Sequence, residues 1–317
     1  MPFTVVQGGT SLQILNTSGA LTTLTLPTGV TLSSSRPPRF AIFNRYAVLV
    51  NTPNRPITID ADGTVRPLTP NTPRNVPVVS AIAGGSLTGT YSGIKQTFIV
   101  LDEDGNIISE SDYSVGSGSV TLTTQYLRAA SLDLSADTIT ATRLYRPVTS
   151  GTTLFPCIDI DGNTQTSVQD DLADASLNLV AAPTLGAAPD LTLIAEWRGR
   201  LWGVSRNLVD YLRYSEAGKM YAWPTGNSIL IPQIGSDTRG ITALIARKEA
   251  LVLGRLNNLQ QITGTEAASF RPVKISDNVG IISQESAVNY RDEVFFLWYD
   301  GVYKLNSEGL KCISDGK

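Results

Sequence analysis

A phrase of about twenty residues recurs in altered form at least four times along this chain, and that recurrence limits the fold more than any other feature. Three copies stand at residues 194–206 (IAEWRGRLWGVSR), 245–257 (IARKEALVLGRLN) and 288–300 (VNYRDEVFFLWYD), and a fourth lies far upstream at residues 42–54 (IFNRYAVLVNTPN). In each, an apolar approach runs into one or two charged or Gly residues, then into three or four apolar residues, then into a polar turn. That is the pattern of a β-hairpin copied along the chain. With Leu201, Leu251 and Val294 taken as equivalent, the spacings are 50 and 43 residues, the period of a propeller blade built from four short strands.

The upstream copy tests the period. Val48 stands 153 residues before Leu201, three periods rather than one. The intervening stretch differs in pattern from the rest, and removing about 105 residues of it restores a gap of about 48. The expected organisation is a repeat array formed by residues 1–76 and 182–317, interrupted by a self-contained insertion at residues 77–181. Within the first part, residues 11–16 (SLQILN) and 21–26 (LTTLTL) read as two short strands completing a blade, and Pro67, Pro70, Pro73 and Pro77 read as a linker.

Inside the insertion, residues 88–102 run into the turn Glu103-Asp104-Gly105-Asn106 and then into residues 107–113. Further strands are expected at 119–124 and 138–145, and one more hairpin at 157–170 around Asp161-Gly162. Turn signals at these intervals predict an immunoglobulin-like or fibronectin type III-like β-sandwich. The fold class expected for the whole is all-β. With 17 Pro, 27 Gly and many Thr, Ser, Val and Ile, the composition agrees with short strands and tight turns.

Several function classes fall away on chemistry. The chain has no histidine, which removes Ser-His-Asp and Cys-His nucleophiles, His-ligated metals and the usual general base. Carboxylate-only chemistry, as in glycoside hydrolysis, survives. The net charge is −3, with 25 Lys and Arg spread thinly over 317 residues, so a clustered phosphate-binding surface is not expected. No run approaches the length of a membrane span, and the first residues, MPFTVVQGGTSLQ, lack a secretory pattern. The expectation is a chain made soluble, in a cytoplasm, without membrane insertion. Cys157 and Cys312 make no metal spacing and read as reduced thiols.

Residues 196–203 (EWRGRLWG), followed by 211–216 (YLRYSE) and Trp223, resemble a blade of the propeller-bearing tail proteins of tailed bacteriophages, especially the nozzle or hub proteins of short-tailed phages. Residues 300–305 (DGVYKL) do so too. Within the insertion, residues 143–146 (RLYR), 155–158 (FPCI) and 166–177 (TSVQDDLADASL) are similar to the end of fibronectin-like modules inserted in those proteins. The resemblance covers most of residues 39–313. It implies a structural virion component of the tail nozzle or hub, or of the head-to-tail region, without enzymatic activity. Its copies would form a homo-oligomeric ring around the genome-ejection channel and contact other tail or connector proteins. Genomic DNA would pass through without specific binding, and the particle would be assembled in the host cytoplasm. The alternative is a carbohydrate-binding or carbohydrate-cleaving propeller that recognises a host surface.

No residue is nominated as catalytic, cofactor-binding or metal-binding, and no cofactor is expected. Three acidic turns, Asp60-Ala61-Asp62-Gly63, Asp102-Glu103-Asp104-Gly105-Asn106 and Asp159-Ile160-Asp161-Gly162-Asn163, have some character of Ca²⁺ loops. They lack the later bidentate Glu, and Asp-Gly between β-rich runs reads first as hairpin chemistry. For a glycosidase the first carboxylates to examine are Glu196, Asp210 and Glu216. The four Trp (Trp197, Trp202, Trp223, Trp298) read as packing between neighbouring blades, with sugar stacking as the alternative. Arg198 and Arg200, two apart, are expected to share a strand face; with Arg206 and Arg213 they form the densest basic stretch. A solvated edge guarded by charge is the first reading of that stretch, and an acceptor of carboxylates or phosphate the second. Residues 83–85 (AGG) and 116–118 (GSG) read as loops without a phosphate-cradling context.

Overall fold

The computed structural model describes residues 4–15, 19–50, 55–234 and 239–314. Residues 16 and 51–54, which complete two of the sequence segments above, lie outside the described residues. The protein is all-β, and every strand pair is antiparallel. Among the described residues there is no α-helix, only single 3₁₀ turns at Asp174–Ser176, Ala267–Ser269 and Gln284–Ser286.

Among the described residues, five small sheets are each formed by strands that follow one another in sequence. The first holds β1 (Thr4–Gly8), β2 (Ser11–Leu15) and β3 (Leu21–Thr23); the second holds β4 (Phe40–Phe43), β5 (Tyr46–Leu49), β6 (Ile57–Ile59) and β7 (Val65–Pro67). A unit of seven strands follows: β8 (Val78–Tyr91), β9 (Lys95–Leu101), β10 (Ile107–Glu110), β11 (Val120–Ala130), β12 (Ala141–Arg146), β13 (Phe155–Asp161) and β14 (Ser167–Asp170). The third sheet then holds β15 (Leu191–Trp197), β16 (Arg200–Ser205), β17 (Tyr211–Tyr214) and β18 (Ser228–Leu230). The fourth holds β19 (Ala243–Ala246), β20 (Leu251–Gly254), β21 (Leu259–Thr263) and β22 (Arg271–Ser276). The fifth holds β23 (Ala287–Tyr290), β24 (Glu293–Trp298), β25 (Gly301–Asn306) and β26 (Gly309–Cys312).

The recurring phrase is the first hairpin of the last four of these sheets, β4–β5, β15–β16, β19–β20 and β23–β24. The four equivalent residues Val48, Leu201, Leu251 and Val294 all sit on the second strand and are all fully buried. Polar residues at the hairpin tips permit the tight turn. Arg198-Gly199 and Arg291-Asp292 both carry positive φ, the conformation that matches strand twist in a two-residue hairpin.

The sheets stack face to face in a row. Successive residues of each strand point to opposite faces, so a sheet inside the row buries both. On β15 and β16, Leu193, Trp197, Trp202 and Val204 pack toward the fourth sheet, while Ile194 and Leu201 pack toward the second. On β20, Leu251 and Leu253 face the third sheet and Val252 the fifth. This double coverage explains the uninterrupted apolar runs of β5, β16 and β20. The three seams among the second to fifth sheets each have a tryptophan: Trp197 and Trp202 between the third and fourth sheets, Trp223 between the second and third, and Trp298 between the fourth and fifth. The first strands of the second to fifth sheets, β4, β15, β19 and β23, lie next to one another in that order.

The N-terminal segment differs from expectation. It forms three strands in a sheet of its own, with Leu12, Leu24, Val30 and Leu32 packed against Leu49, Ile57 and Ile59 of the second sheet. Pro67 is the last residue of β7 rather than part of a linker; β7 is an edge strand, where a missing N–H costs no ladder bond.

In the seven-strand unit, β10-β9-β12-β13 form one sheet and β14-β11-β8 the other, around Leu87, Tyr91, Ile94, Leu122, Leu127, Leu144 and Ile160. The expected hairpin at residues 157–170 is not one. β13 pairs with β12, and β14 crosses to pair with β11 in the opposite sheet. Arg146 accounts for this crossing. Its fully buried guanidinium donates to Asp170 (2.5 Å) and Asp174 (2.6 Å) and lies over the Tyr91 ring. Two of the sequence segments singled out above, 143–146 and 166–177, therefore meet in a buried ion cluster. Residues 83–85 are not a loop but the middle of β8, where the register shifts opposite Thr123 and Gln125. A Cβ on Gly85 would fall 2.2 Å from the Tyr126 amide nitrogen, so only glycine allows this approach.

Candidate functional site

The seven-strand unit is seated on the row of sheets, and charged groups concentrate along that seam. Arg55, just before β6, donates both guanidinium arms to Asp137 (2.8 and 2.5 Å), which also accepts the Asn71 amide (2.8 Å). The Asp137 side chain is 1% exposed and that of Arg55 18%. Ser109 donates to the Leu68 carbonyl (2.8 Å), Thr69 to the Tyr221 carbonyl (3.0 Å) and Tyr113 to the Pro183 carbonyl (2.7 Å). Ile108 packs into the core shared by the second and third sheets.

Two of the clefts along this seam gather charged groups. In the first, of about 280 Å³, the acidic turns at Asp60–Asp62 and Asp102–Glu103 come together with Arg45 and Arg66. Arg66 pairs with Asp60 and Arg45 with Asp102 (3.1 Å), so the carboxylates are matched by cations. Burial pushes the Asp60 carboxyl above its usual range against the pull of Arg66. The turns hold themselves by hairpin chemistry. Asp62 accepts the Thr64 amide (2.9 Å), Asp102 Oδ1 accepts the amides of Asp104 (3.0 Å) and Asn106 (2.8 Å), and Gly63 and Gly105 take φ of 88° and 80°. No cluster of potential metal ligands occurs among the described residues.

The second cleft, of about 350 Å³, lies where β10, β12 and β13 meet the 178–183 segment and the turn carrying Lys219 and Tyr221. Its floor is Glu110, which is 1% exposed. Strand β10 is covered on both sides, by its own unit and by the row, and so carries an acid inward. Glu110 Oε1 accepts from Tyr145 Oη (2.7 Å) and Thr97 Oγ1 (2.8 Å), while the buried Oε2 has no hydrogen-bond partner. Burial raises the Glu110 carboxyl above its ordinary range; the two hydroxyl donors and the charges of Arg143 and Lys219 oppose this but do not cancel it. Burial likewise raises the phenols of Tyr113, Tyr145 and Tyr221 around it. Arg143 is tied bidentately to Asp159 (2.6 and 2.7 Å) on the rim. Lys219 is half-buried, and its ammonium pairs with no carboxylate among the described residues.

The carboxylates singled out from sequence each have separate engagements. Glu196 accepts the Gly199 amide (2.9 Å) within its hairpin, and Glu216 lies 3.5 Å from Arg200 and accepts from Asn227 (3.0 Å). Asp210 accepts from Gln233 (3.1 Å), and its Oδ1 lies 2.6 Å from the Arg255 guanidinium in an ion contact off hydrogen-bond geometry. Arg198 and Arg200 do not share a strand face. Arg198 sits in the turn at φ 54°, over Trp197 and 3.2 Å from Glu249, whereas Arg200 opens β16, stacks toward Tyr214 and Phe270 and donates to the Ser215 carbonyl. Arg206 pairs with Asp190 (2.7 Å), and Arg213 donates to the Pro224 carbonyl (3.2 Å). The basic stretch is thus spent on local pairs. Three of the four Trp are buried, and Trp197, Trp202, Tyr214 and Phe270 form one aromatic cluster between sheets. Cys157 and Cys312 are free thiols, and burial pushes the Cys157 thiol up.

Glu110 and Lys219 were not singled out in the sequence. A lone Glu in a short strand reads as a solvent-facing position, and a Lys in an Ala-Gly-Lys turn as a solvated tip. Compared with protein-family models and with curated protein sequences, the chain matches none.

Proposed function

We propose that this protein is a structural building block of a bacteriophage virion, in the tail nozzle or hub or at the head-to-tail junction, assembling as a homo-oligomeric ring. On this reading residues 1–76 and 182–317 form a propeller-like array, and residues 77–181 a fibronectin type III-like sandwich inserted in it. Four consecutive four-stranded sheets stacked face to face, with the first strands of neighbouring sheets in contact, favour the first assignment. Seven strands divided four and three around one core, without a disulfide, favour the second.

The observation that carries the assembly is the free face of the fifth sheet. Strand β24 reads Val-Phe-Phe-Leu-Trp, as continuously apolar as the doubly covered strands β5, β16 and β20. Only half of it is covered. Val294, Phe296 and Trp298 face the fourth sheet, while Leu297 (46% exposed), Val302 (37%), Val288 (58%) and Tyr290 (58%) stand outward. At the other end of the row the first sheet leaves Val6, Leu15 and Leu21 exposed. A sheet that follows the internal pattern of the row and ends bare is suited to receive another sheet. A second copy offering its first sheet makes a head-to-tail contact, the kind that closes into a ring when the rotation allows. Native mass spectrometry tests the reading. A ring component gives one discrete multimer, alone or with a tail neighbour added, whereas a monomer under all conditions removes it.

A further inference from the structure

We propose that the free edge of β8 pairs antiparallel with the same edge of a second copy, joining two chains about a two-fold axis at Ser80. Strand β8 runs for 14 residues without one charged side chain. It is the last strand of its sheet, and among the described residues its ladder partner is β11 alone. Toward its end the open side is covered, because the carbonyls of Thr88 and Thr90 accept the Thr149 hydroxyl (3.4 Å) and the Ser150 amide (2.9 Å). Among the described residues no such bond covers residues 78–83. Alternate residues there turn their N–H and C=O away from β11, toward a place where another strand would lie. Other edge strands carry the charge or proline that discourages such pairing: Asp159 and Asp161 on β13, Arg271, Pro272 and Lys274 on β22, Arg66 and Pro67 on β7. Strand β8 has neither.

The chemistry of the edge selects a second copy as its occupant. With no charge on either strand, self-pairing sets no like charges opposite each other. Val79 and Ala81 pack toward the core of the unit, so Val78, Ser80 and Ile82 share the outer face, where Val78 is 56% exposed. An antiparallel pairing about Ser80 keeps that face continuous across both copies. It puts Val78 opposite Ile82 of the partner subunit and Val79 opposite Ala81 of the partner subunit, with the small serines meeting at the axis. Pro77, which has no N–H, and the register shift beyond Ala83 bound the paired stretch. Each chain has one such stretch on β8, so the pairing ends at two copies instead of growing into a fibre. So short a stretch buries less than the about 1,200–2,000 Å² of a stable interface. The contact is therefore weak between single chains and adds up where several joined copies present it together.

The test places a thiol at the axis and traps the pair in oxidised glutathione. Opposed residues of antiparallel strands have Cα atoms about 4.5–5.5 Å apart, within the range a disulfide spans. Val115→Cys, at a position 66% exposed on the loop between β10 and β11, controls for chance collision. The expected result is a disulfide-linked dimer of Ser80→Cys that forms at least about tenfold faster than that of Val115→Cys. Adding Val78→Lys to the Ser80→Cys chain puts a charge on the edge and is expected to slow linking about tenfold, with the fold kept by circular dichroism. Linking does not need the fifth sheet. A wild type that is monomeric by native mass spectrometry therefore removes the ring alone, and failure to link removes the edge pairing alone. The proposal is overturned if Ser80→Cys links no faster than Val115→Cys, as it would were the edge built for a strand of another protein. It is also overturned if Val78→Lys leaves the rate unchanged.

Discussion

Removing either partner of the Arg55–Asp137 pair should loosen the seven-strand unit from the row, and the two removals should differ in cost. Asp137 is the more deeply buried partner, with a side chain 1% exposed against 18% for Arg55. Arg55→Ala strands a carboxylate with the Asn71 amide as its remaining seam donor, and breaking a buried pair in this way costs about 3–5 kcal/mol. Asp137→Ala leaves a guanidinium that still reaches Asn71 Oδ1 (3.0 Å) and partly reaches water, so its cost should be lower, about 2–3 kcal/mol. The double variant should cost little more than Arg55→Ala alone, because once the arginine is gone its partner's loss relieves a buried charge. Chemical denaturation followed by circular dichroism gives the energies. Hydrogen exchange resolved to residues 67–75 and 107–113 shows whether the loss is at the seam. Single-variant costs below about 1 kcal/mol, additivity within about 0.5 kcal/mol, or the reverse order would refute the reasoning.

Glu110→Gln should change the pH dependence of stability. Because burial raises the folded carboxyl above its unfolded value, this group's contribution to stability is greatest below the ordinary Glu range. It falls as pH rises through that range to the raised folded value, since there the unfolded chain has released a proton that the folded one keeps. The variant has no such proton, so its melting temperature should rise relative to that of the wild type over that interval; parallel profiles from acid to neutral pH would contradict this. Trp202→Ala removes a fully buried indole packed on Trp197, Tyr214 and Phe270 and should cost about 3–5 kcal/mol in denaturation. Trp202→Phe keeps most of that packing but loses the indole donation to the Trp197 carbonyl (3.0 Å), and should cost about 1–2 kcal/mol. Equal losses for the two variants would mean that the ring packing is not what holds the seam.

The parts of the fold legible in the sequence are those governed by local chemistry and period. Val48, Leu201, Leu251 and Val294 could be aligned by eye because each follows a tight turn and each is buried on the same strand of its hairpin. The Asp-Gly turns at 62–63 and 104–105 were legible because their φ requirement is local. The crossing of β14 was not, because the ion cluster that holds it joins Arg146 to Asp170 and Asp174 through space. The Arg198–Arg200 pairing failed for a related reason. Residues two apart on one strand share a face, but a two-residue turn at Arg198 and Gly199 ends the strand between them. Glu110 was invisible because nothing local marks a strand that will be covered from both sides.

The most direct test is to place a charge on the free face of the fifth sheet and weigh the protein. Leu297 points outward opposite Val302 and is 46% exposed, so Leu297→Lys should leave the fold and melting temperature of the isolated chain nearly unchanged, within about 0.5 kcal/mol. If the apolar face is where copies meet, the wild type gives a discrete multimer by native mass spectrometry and Leu297→Lys gives the monomer. A multimer of unchanged mass and stability in the variant, or a wild type that stays monomeric at every concentration and with a tail neighbour added, would contradict the account.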